Sequence, residues 1–306
     1  MMTASEQRMT LKQPAGNAAL LSEQIMPIKH AVPDSEQLSV GDSASVDCEQ
    51  LPAAVVALTV SYNGKSFHGF ARQQGLPTIQ GELEKALATV FRRQVVTQGA
   101  GRTDAGVHAL GQVVSFGVDA AEIPQNPDKL LTSLNALVSD QISVRRFELR
   151  EADFSARFSA QSREYRYRLY PSPTPPVFMA PYAWWLPINR PLNISALKAA
   201  AKLFEGERDF RSFCVTKSAQ DISTVRTVFK VHVFGAQHLG EQCLMIQVFG
   251  SAFLHSMVRV MVGSLVEVAR GERESSWISE VLSACDRRAA GETAPAHGLT
   301  LWQVSY

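Results

Sequence analysis

The run Gly99-Ala-Gly-Arg-Thr-Asp-Ala-Gly-Val-His108 places one carboxylate, Asp104, among three glycines within eight residues. Such a run implies a backbone that bends tightly or lets a ligand come close. Two phosphate-loop patterns fail here. A dinucleotide fingerprint needs a glycine where Asp104 stands, and a P-loop needs Lys then Ser or Thr where Val107 and His108 stand. What is left is a single acid on a tight loop, two residues after Arg102. It is either an Asx-type turn bonding its own backbone or a carboxylate held for chemistry.

A second charge stands where charge is costly. Arg259 interrupts the apolar stretch Phe253-Leu-His-Ser-Met-Val-Arg-Val-Met-Val-Gly263. A guanidinium beside a core needs a carboxylate partner or a path to water. Glu267 is one candidate partner and snorkelling is another outcome. His255 lies one helical turn before Arg259. No second His or Cys stands at ligand spacing, so a hydrogen-bonded position at the core edge fits it better than metal ligation. A third pattern is Arg163-Glu-Tyr165-Arg-Tyr167-Arg168, aromatics interleaved with arginines. On a sheet this can stack bases and meet phosphates, or simply give a strand one packed and one charged face.

The elements that must carry these residues follow from periodicity. Val55 to Tyr62 reads as a strand, and Thr78 caps a helix with Ile79, Leu83, Leu87 and Phe91 inward. Val95 to Thr97 reads as a short strand, Gly99 to His108 as a loop and Leu110 to Val118 as a strand. A helix over Leu130 to Val138 and a strand over Ile142 to Leu149 complete a β-α-β-β-α-β order. The second half reads as strands at Tyr165–Tyr170 and Ala183–Leu186, then a helix capped by Asn193 and ended by Gly206. Strands at Val225–Phe234 and Cys243–Phe249, an apolar helix over Phe253–Arg270, a short helix at Ser276–Cys285 and a closing strand at Leu299–Tyr306 follow. The boundary falls in the loop Ala152–Ser162, which gives halves over 51–157 and 158–306. Strict βαβα alternation fails, so two α+β halves with antiparallel sheets are expected rather than a doubly wound parallel fold.

Composition bounds the rest. The chain has 306 residues, 30 Lys+Arg against 29 Asp+Glu, and 45% hydrophobic residues, enough for sizeable cores. Residues 1–50 hold 3 basic and 7 acidic residues and no aromatic, and read as a disordered extension. The remaining 256 residues carry a net charge of +5, which permits a nucleic-acid partner without requiring one. No apolar run is long enough to span a bilayer, and the N-terminal residues lack a secretory signal pattern. Cys48, Cys214, Cys243 and Cys285 are far apart, so neither a zinc site nor a disulfide framework is suggested and the cytoplasm is expected.

These patterns meet in one family. The chain resembles the TruA family of tRNA pseudouridine synthases in Ala100-Gly-Arg-Thr-Asp-Ala-Gly-Val-His-Ala109 and in Phe158-Ser-Ala-Gln-Ser-Arg-Glu-Tyr-Arg-Tyr167. It does so again in Asn193 to Phe213, in Phe253 to Ser264 and in Ala294-Pro-Ala-His-Gly-Leu299. The matches keep the family's order and span about residues 53–306. The family often has Tyr-Asp-Gly where Tyr62-Asn63-Gly64 stands, an aromatic-Gln pair where Phe70-Ala71-Arg72-Gln73 stands, and Leu-Pro within Asn135–Asp140. None of these departures touches Asp104.

The resemblance implies the pseudouridine synthase fold, two ferredoxin- or RRM-like α+β halves whose antiparallel sheets join across a central catalytic cleft. It implies isomerisation of uridine to pseudouridine at positions 38, 39 and 40 of the tRNA anticodon stem-loop, by a homodimer with no metal or organic cofactor. It casts Asp104 as nucleophile, Arg259 as its ion-pair partner, and Tyr165 and Arg102 as substrate-binding residues. Tyr165 would be the platform for the extruded uridine, its hydroxyl a candidate aid to proton removal at C5. Two other classes remain open on the residues alone. A non-catalytic binder with two RRM-like halves explains the β-α-β-β-α-β order but neither Asp104 nor Arg259. A metal-dependent phosphate-ester hydrolase lacks a second acid near Asp104.

Overall fold

A computed structural model of the chain describes residues 52–306 apart from 221 and 239, with the backbone alone at 218 and 219; the extension expected over 1–50 lies outside the described residues. The fold is mixed α+β, with a ten-stranded sheet. The first segment runs β1 (Ala54–Tyr62), α1 (Ile79–Phe91), β2 (Gln98–Gly99), β3 (His108–Val118), α2 (Pro127–Leu137) and β4 (Ile142–Arg150). The second runs β5 (Ser162–Pro171), β6 (Trp184–Leu186), α3 (Ile194–Lys202), β7 (Gly206–Asp209), β8 (Val225–His238), β9 (Glu241–Gly250), α4 (Met257–Ala269), α5 (Trp277–Ala284) and β10 (Leu299–Ser305).

Local signals account for the starts of the first three helices. Thr78 opens α1 by accepting the Gly81 N–H at 3.3 Å, and Asn126 opens α2 by accepting the Lys129 N–H at 3.0 Å. Pro127 follows at the first helical position, where its missing N–H costs nothing. Asn193 caps α3 through the Ala196 N–H at 3.0 Å.

The strands form one continuous sheet in the order β4-β1-β3-β10-β5-β9-β8-β7, with β2 on β3 and β6 beside β5. The pairings along that path are antiparallel except one. β10 lies antiparallel to β5 but parallel to β3, through Thr300 opposite His108 and Leu301 opposite Ala109. The two segments are therefore sewn together at the residues that leave the Gly99–His108 loop. Gly111 serves this seam, because a Cβ there would lie 2.5 Å from the Trp302 carbonyl oxygen.

Three expectations are corrected. The short strand expected at Val95–Thr97 falls instead at Gln98–Gly99, because the Thr97 N–H and hydroxyl both donate to buried Glu84. Gly206 does not end α3. That helix closes at Leu203, and Gly206, at φ +97°, opens β7. The apolar helix expected from Phe253 begins only at Met257, because Ser256 takes the left-handed conformation at φ 59°. The residues before it are thus released from the helix and form part of a cleft wall.

Candidate active site

The Gly99–His108 loop is held from several directions. The Ala100 N–H donates to the Val113 carbonyl at 2.8 Å, and fully buried Gln112 donates through Nε2 to the Gly101 carbonyl at 2.9 Å. Thr103 is fixed by its hydroxyl, 2.7 Å from that of buried Tyr62, and by its carbonyl, which accepts the Phe70 N–H at 3.0 Å. Gly69, at φ +94°, lies so close that a Cβ would sit 3.0 Å from that same Thr103 carbonyl. His108 closes the loop. Its Nδ1 accepts the Gly64 N–H at 3.2 Å, which leaves Nε2–H to donate to the Pro181 carbonyl at 3.2 Å. Burial lowers the His108 pKa to about 4, in keeping with this neutral tautomer.

The loop brings Asp104 to the start of α4. Arg259 Nη1 donates to Asp104 Oδ2 at 2.7 Å, and Ser256 Oγ donates to the same oxygen at 2.7 Å. His255 Nε2 lies 3.4 Å from Oδ1. Oδ2 thus accepts two hydrogen bonds, while Oδ1 accepts none from the described residues. Arg259 is steadied in turn by its Nε, which donates to the Ala294 carbonyl at 2.8 Å, and by the Ala294 N–H, which donates to the Arg259 carbonyl at 3.2 Å. That segment lies close on α4 because Gly263 has no Cβ: one there would come within 1.9 Å of the Glu292 carbonyl oxygen. Glu267, the alternative partner for Arg259, pairs with Arg273 at 3.6 Å.

Asp104 opens onto a cleft of about 1100 Å³, which Arg102 and Tyr165 also line. Arg102 is exposed, and no described residue forms an ion pair with it. Tyr165 is buried to 8% exposure, edge-on to Phe253 at 5.1 Å between ring centroids. Burial pushes its phenol above the ordinary value, and the nearby Tyr62 and Asp104 push the same way. A Cβ on Gly101 would sit 3.7 Å from the Tyr165 hydroxyl, an ordinary contact distance, so the loop backbone runs directly beside that hydroxyl.

The remaining residues of the aromatic–arginine strand turn to structural tasks. Arg163 is buried, and its guanidinium donates to the carbonyls of Ala100, Ala160, Ser251 and Arg157 at 2.5–3.3 Å, with no carboxylate among them. Burial lowers its pKa. Tyr167 is fully buried and donates to the Pro295 carbonyl at 2.7 Å. On the opposite pleat face, Arg166 lies 3.6 Å over the Trp302 ring and 2.6 Å from Glu164, while Arg168 bonds the Thr300 hydroxyl at 3.0 Å. Only Tyr165 and Arg163 of this strand border the cleft.

Sequence reasoning missed Ser256, took Arg163 only as one arginine of an aromatic–arginine strand, and gave His255 no part in the site. Ser256 carried no signal beyond its place in the Phe253–Gly263 stretch. Arg163 had one that could have been read: an arginine at the start of a strand, on the same pleat face as two tyrosines, must be buried with them. Among the described residues, no group of three or more His, Cys, Asp or Glu could hold a metal ion, and no helix is long and apolar enough to cross a membrane.

A family model described as tRNA pseudouridine synthase matches residues 58–159 and 200–306. The chain is 42% identical over 247 residues to a tRNA pseudouridine synthase A of Pseudothermotoga lettingae, covering 81% of this chain and 97% of that one. It is 40% identical over 251 residues to a protein of the same description from Bacillus subtilis, covering 81% and 97%. Among solved structures, a Cbf5-Nop10-Gar1 complex overlays with a TM-score of 0.32 and 12% identity over 71% of this chain and 45% of that one, too slight a likeness to carry weight.

Proposed function

The chain belongs to the tRNA pseudouridine synthase family, and on that premise we propose that it isomerises uridine to pseudouridine at positions 38, 39 and 40 of the tRNA anticodon stem-loop, with Asp104 as nucleophile. The observation that carries this reading is the carboxylate itself: one oxygen held by Arg259 and Ser256, the other without a hydrogen bond from the described residues, on a residue that lines the same cleft as Tyr165. The reaction breaks the N1–C1′ bond, turns the uracil, joins C5 to C1′ and removes the proton from C5. The detached ring is its own leaving group and its own acceptor, so the chemistry asks the protein for a positioned anion.

Asp104 Oδ1 is the oxygen available to attack C1′, to add at C6 or to offset charge developing at C1′. Fixing Oδ2 with two donors orients the other oxygen's lone pairs before substrate arrives. Arg259 is the ion-pair partner in this scheme. Tyr165 supports the uridine once it leaves the stack. Burial raises the Tyr165 pKa, which favours the neutral phenol as platform and hydrogen-bonding group. Arg102, permanently charged and exposed, meets a backbone phosphate or fills the space the uridine vacates. In this reading residues 51–157 supply the nucleophile and 158–306 supply its cation and the platform. The enzyme acts as a cytoplasmic homodimer on tRNA and draws on no metal or organic cofactor.

Tritium release from tRNA carrying 5-tritiated uridine tests the proposal. The wild-type chain should release tritium, and transcripts with cytidine at 38, 39 and 40 together should release none. Asp104→Asn should abolish release while tRNA binding stays within about threefold, because affinity is spread over many phosphate contacts. Near-normal turnover by that variant would remove Asp104 from the nucleophile's role.

A further inference from the structure

The cleft that holds Asp104 has an aromatic at its mouth with no structural task. Phe158 lines the same cavity as Asp104 and Tyr165, yet it is 76% exposed. Val96, 73% exposed, and Ile222, 50% exposed, line that cavity too. A phenylalanine so exposed contributes little to the core, but its backbone is firmly held. The N–H groups of Arg157 and Phe158 both donate to Ser155 Oγ, at 3.2 and 3.0 Å. The Arg157 carbonyl accepts from buried Arg163 at 2.6 Å. Fully buried Ala156 is held through its N–H to Ser115 Oγ at 3.0 Å and its carbonyl to the Tyr306 hydroxyl at 2.8 Å. The Arg157 guanidinium carbon lies 5.2 Å from the Phe158 ring centroid.

We propose that Phe158 and Arg157 form a nucleobase-stacking subsite at the cleft mouth, which takes a base of the tRNA other than the uridine that reacts. The inference rests on the function proposed above. A uridine drawn into the cleft leaves its stack, and the bases beside it lose a neighbour. An aromatic ring at the mouth replaces that neighbour without regard to base identity, and an adjacent arginine answers the phosphates. This suits an enzyme whose proposed targets are three successive positions with different flanking bases. The buried guanidinium of Arg163, which also holds Ala100 of the Asp104 loop, fixes the distance between stacking ring and nucleophile.

Tritium release and tRNA binding by Phe158→Ala, Phe158→Leu and Phe158→Trp separate the possibilities. Removing a base–aromatic stack weakens binding by about 5- to 150-fold. Phe158→Ala and Phe158→Leu should both raise the half-saturating tRNA concentration into that range, because leucine offers area but no π-face. Phe158→Trp should stay within about twofold of wild type, and all three should keep the wild-type melting temperature. Normal tRNA affinity in the alanine variant overturns the subsite, as does a leucine variant that rescues it. A changed sedimentation coefficient with unchanged tRNA affinity also overturns it, by making Phe158 a contact between copies of the chain. If the wild-type chain itself releases no tritium, the proposed function fails instead, and binding of the three variants still judges the subsite.

Discussion

Asp104 meets its surroundings unevenly: Oδ2 accepts from two donors, while among the described residues Oδ1 has one ion-pair neighbour, His255 at 3.4 Å. A guanidinium can bind the carboxylate with one nitrogen and the Ala294 carbonyl with another, as Arg259 does. An ammonium on a flexible stem holds neither direction as firmly. Arg259→Lys should therefore lower the single-turnover rate by about 100-fold, the scale of a 1 Å misplacement, while tRNA half-saturation moves less than threefold. A rate within twofold of wild type would show that charge alone suffices. At this scale the sequence was partly legible. Asp104 stood out because a lone acid among glycines satisfied no phosphate-loop pattern, and Arg259 because it broke an apolar run. Their contact spans 155 positions and came only from the resemblance. Ser256 was invisible, since it lay inside the helix expected from Phe253, and here it precedes the helix and its hydroxyl turns to Asp104.

Among the elements, β3 couples the loop's geometry to protonation through its first residue. His108 has its pKa lowered by burial to about 4, against an ordinary value near 6.5. Below pH 6.5 the unfolded chain takes up a proton that the folded chain refuses. The contribution of this group is thus complete above pH 6.5 and is lost as pH falls towards 4, on the order of 3 kcal/mol in all. Between pH 7.5 and 5.5 the loss from His108 should be about 1.4 kcal/mol by urea unfolding, and His108→Gln should flatten that part of the profile. An equal loss in both proteins would assign the pH dependence elsewhere. The helix starts were well legible where apolar spacing and caps agreed, as at Thr78 for α1 and Asn193 for α3. The start of α4 was not. Phe253 and Leu254 continue its apolar pattern, and only the left-handed Ser256 separates them from it. Periodicity records which residues are apolar and says nothing about a single residue's dihedral angles.

Over the whole molecule, the family match begins at residue 58 and the described sheet at Ala54. Residues 1–50 add an acidic, aromatic-free sequence to a body of net charge +5. Deleting them should leave the melting temperature within about 2 °C and tritium release within twofold at 150 mM salt; a larger drop in either would give the segment a role in folding or in RNA binding. The β-α-β-β-α-β order was readable in advance. The joining of both segments into one sheet by a strand that runs parallel to β3 was not, because strand partners far apart in sequence leave no local pattern. That strand, β10, is the last of the described strands to be synthesised, yet it occupies the middle of the sheet between β3 and β5. A nascent chain halted before Leu299 already contains Asp104, Tyr165 and Arg259 but has nothing to lie between β3 and β5. Assembly of the site therefore waits for this seam: β10 must be made before Asp104 and Arg259 can be brought to register, and products truncated ahead of it are left with two unpaired strand edges that invite aggregation and clearance.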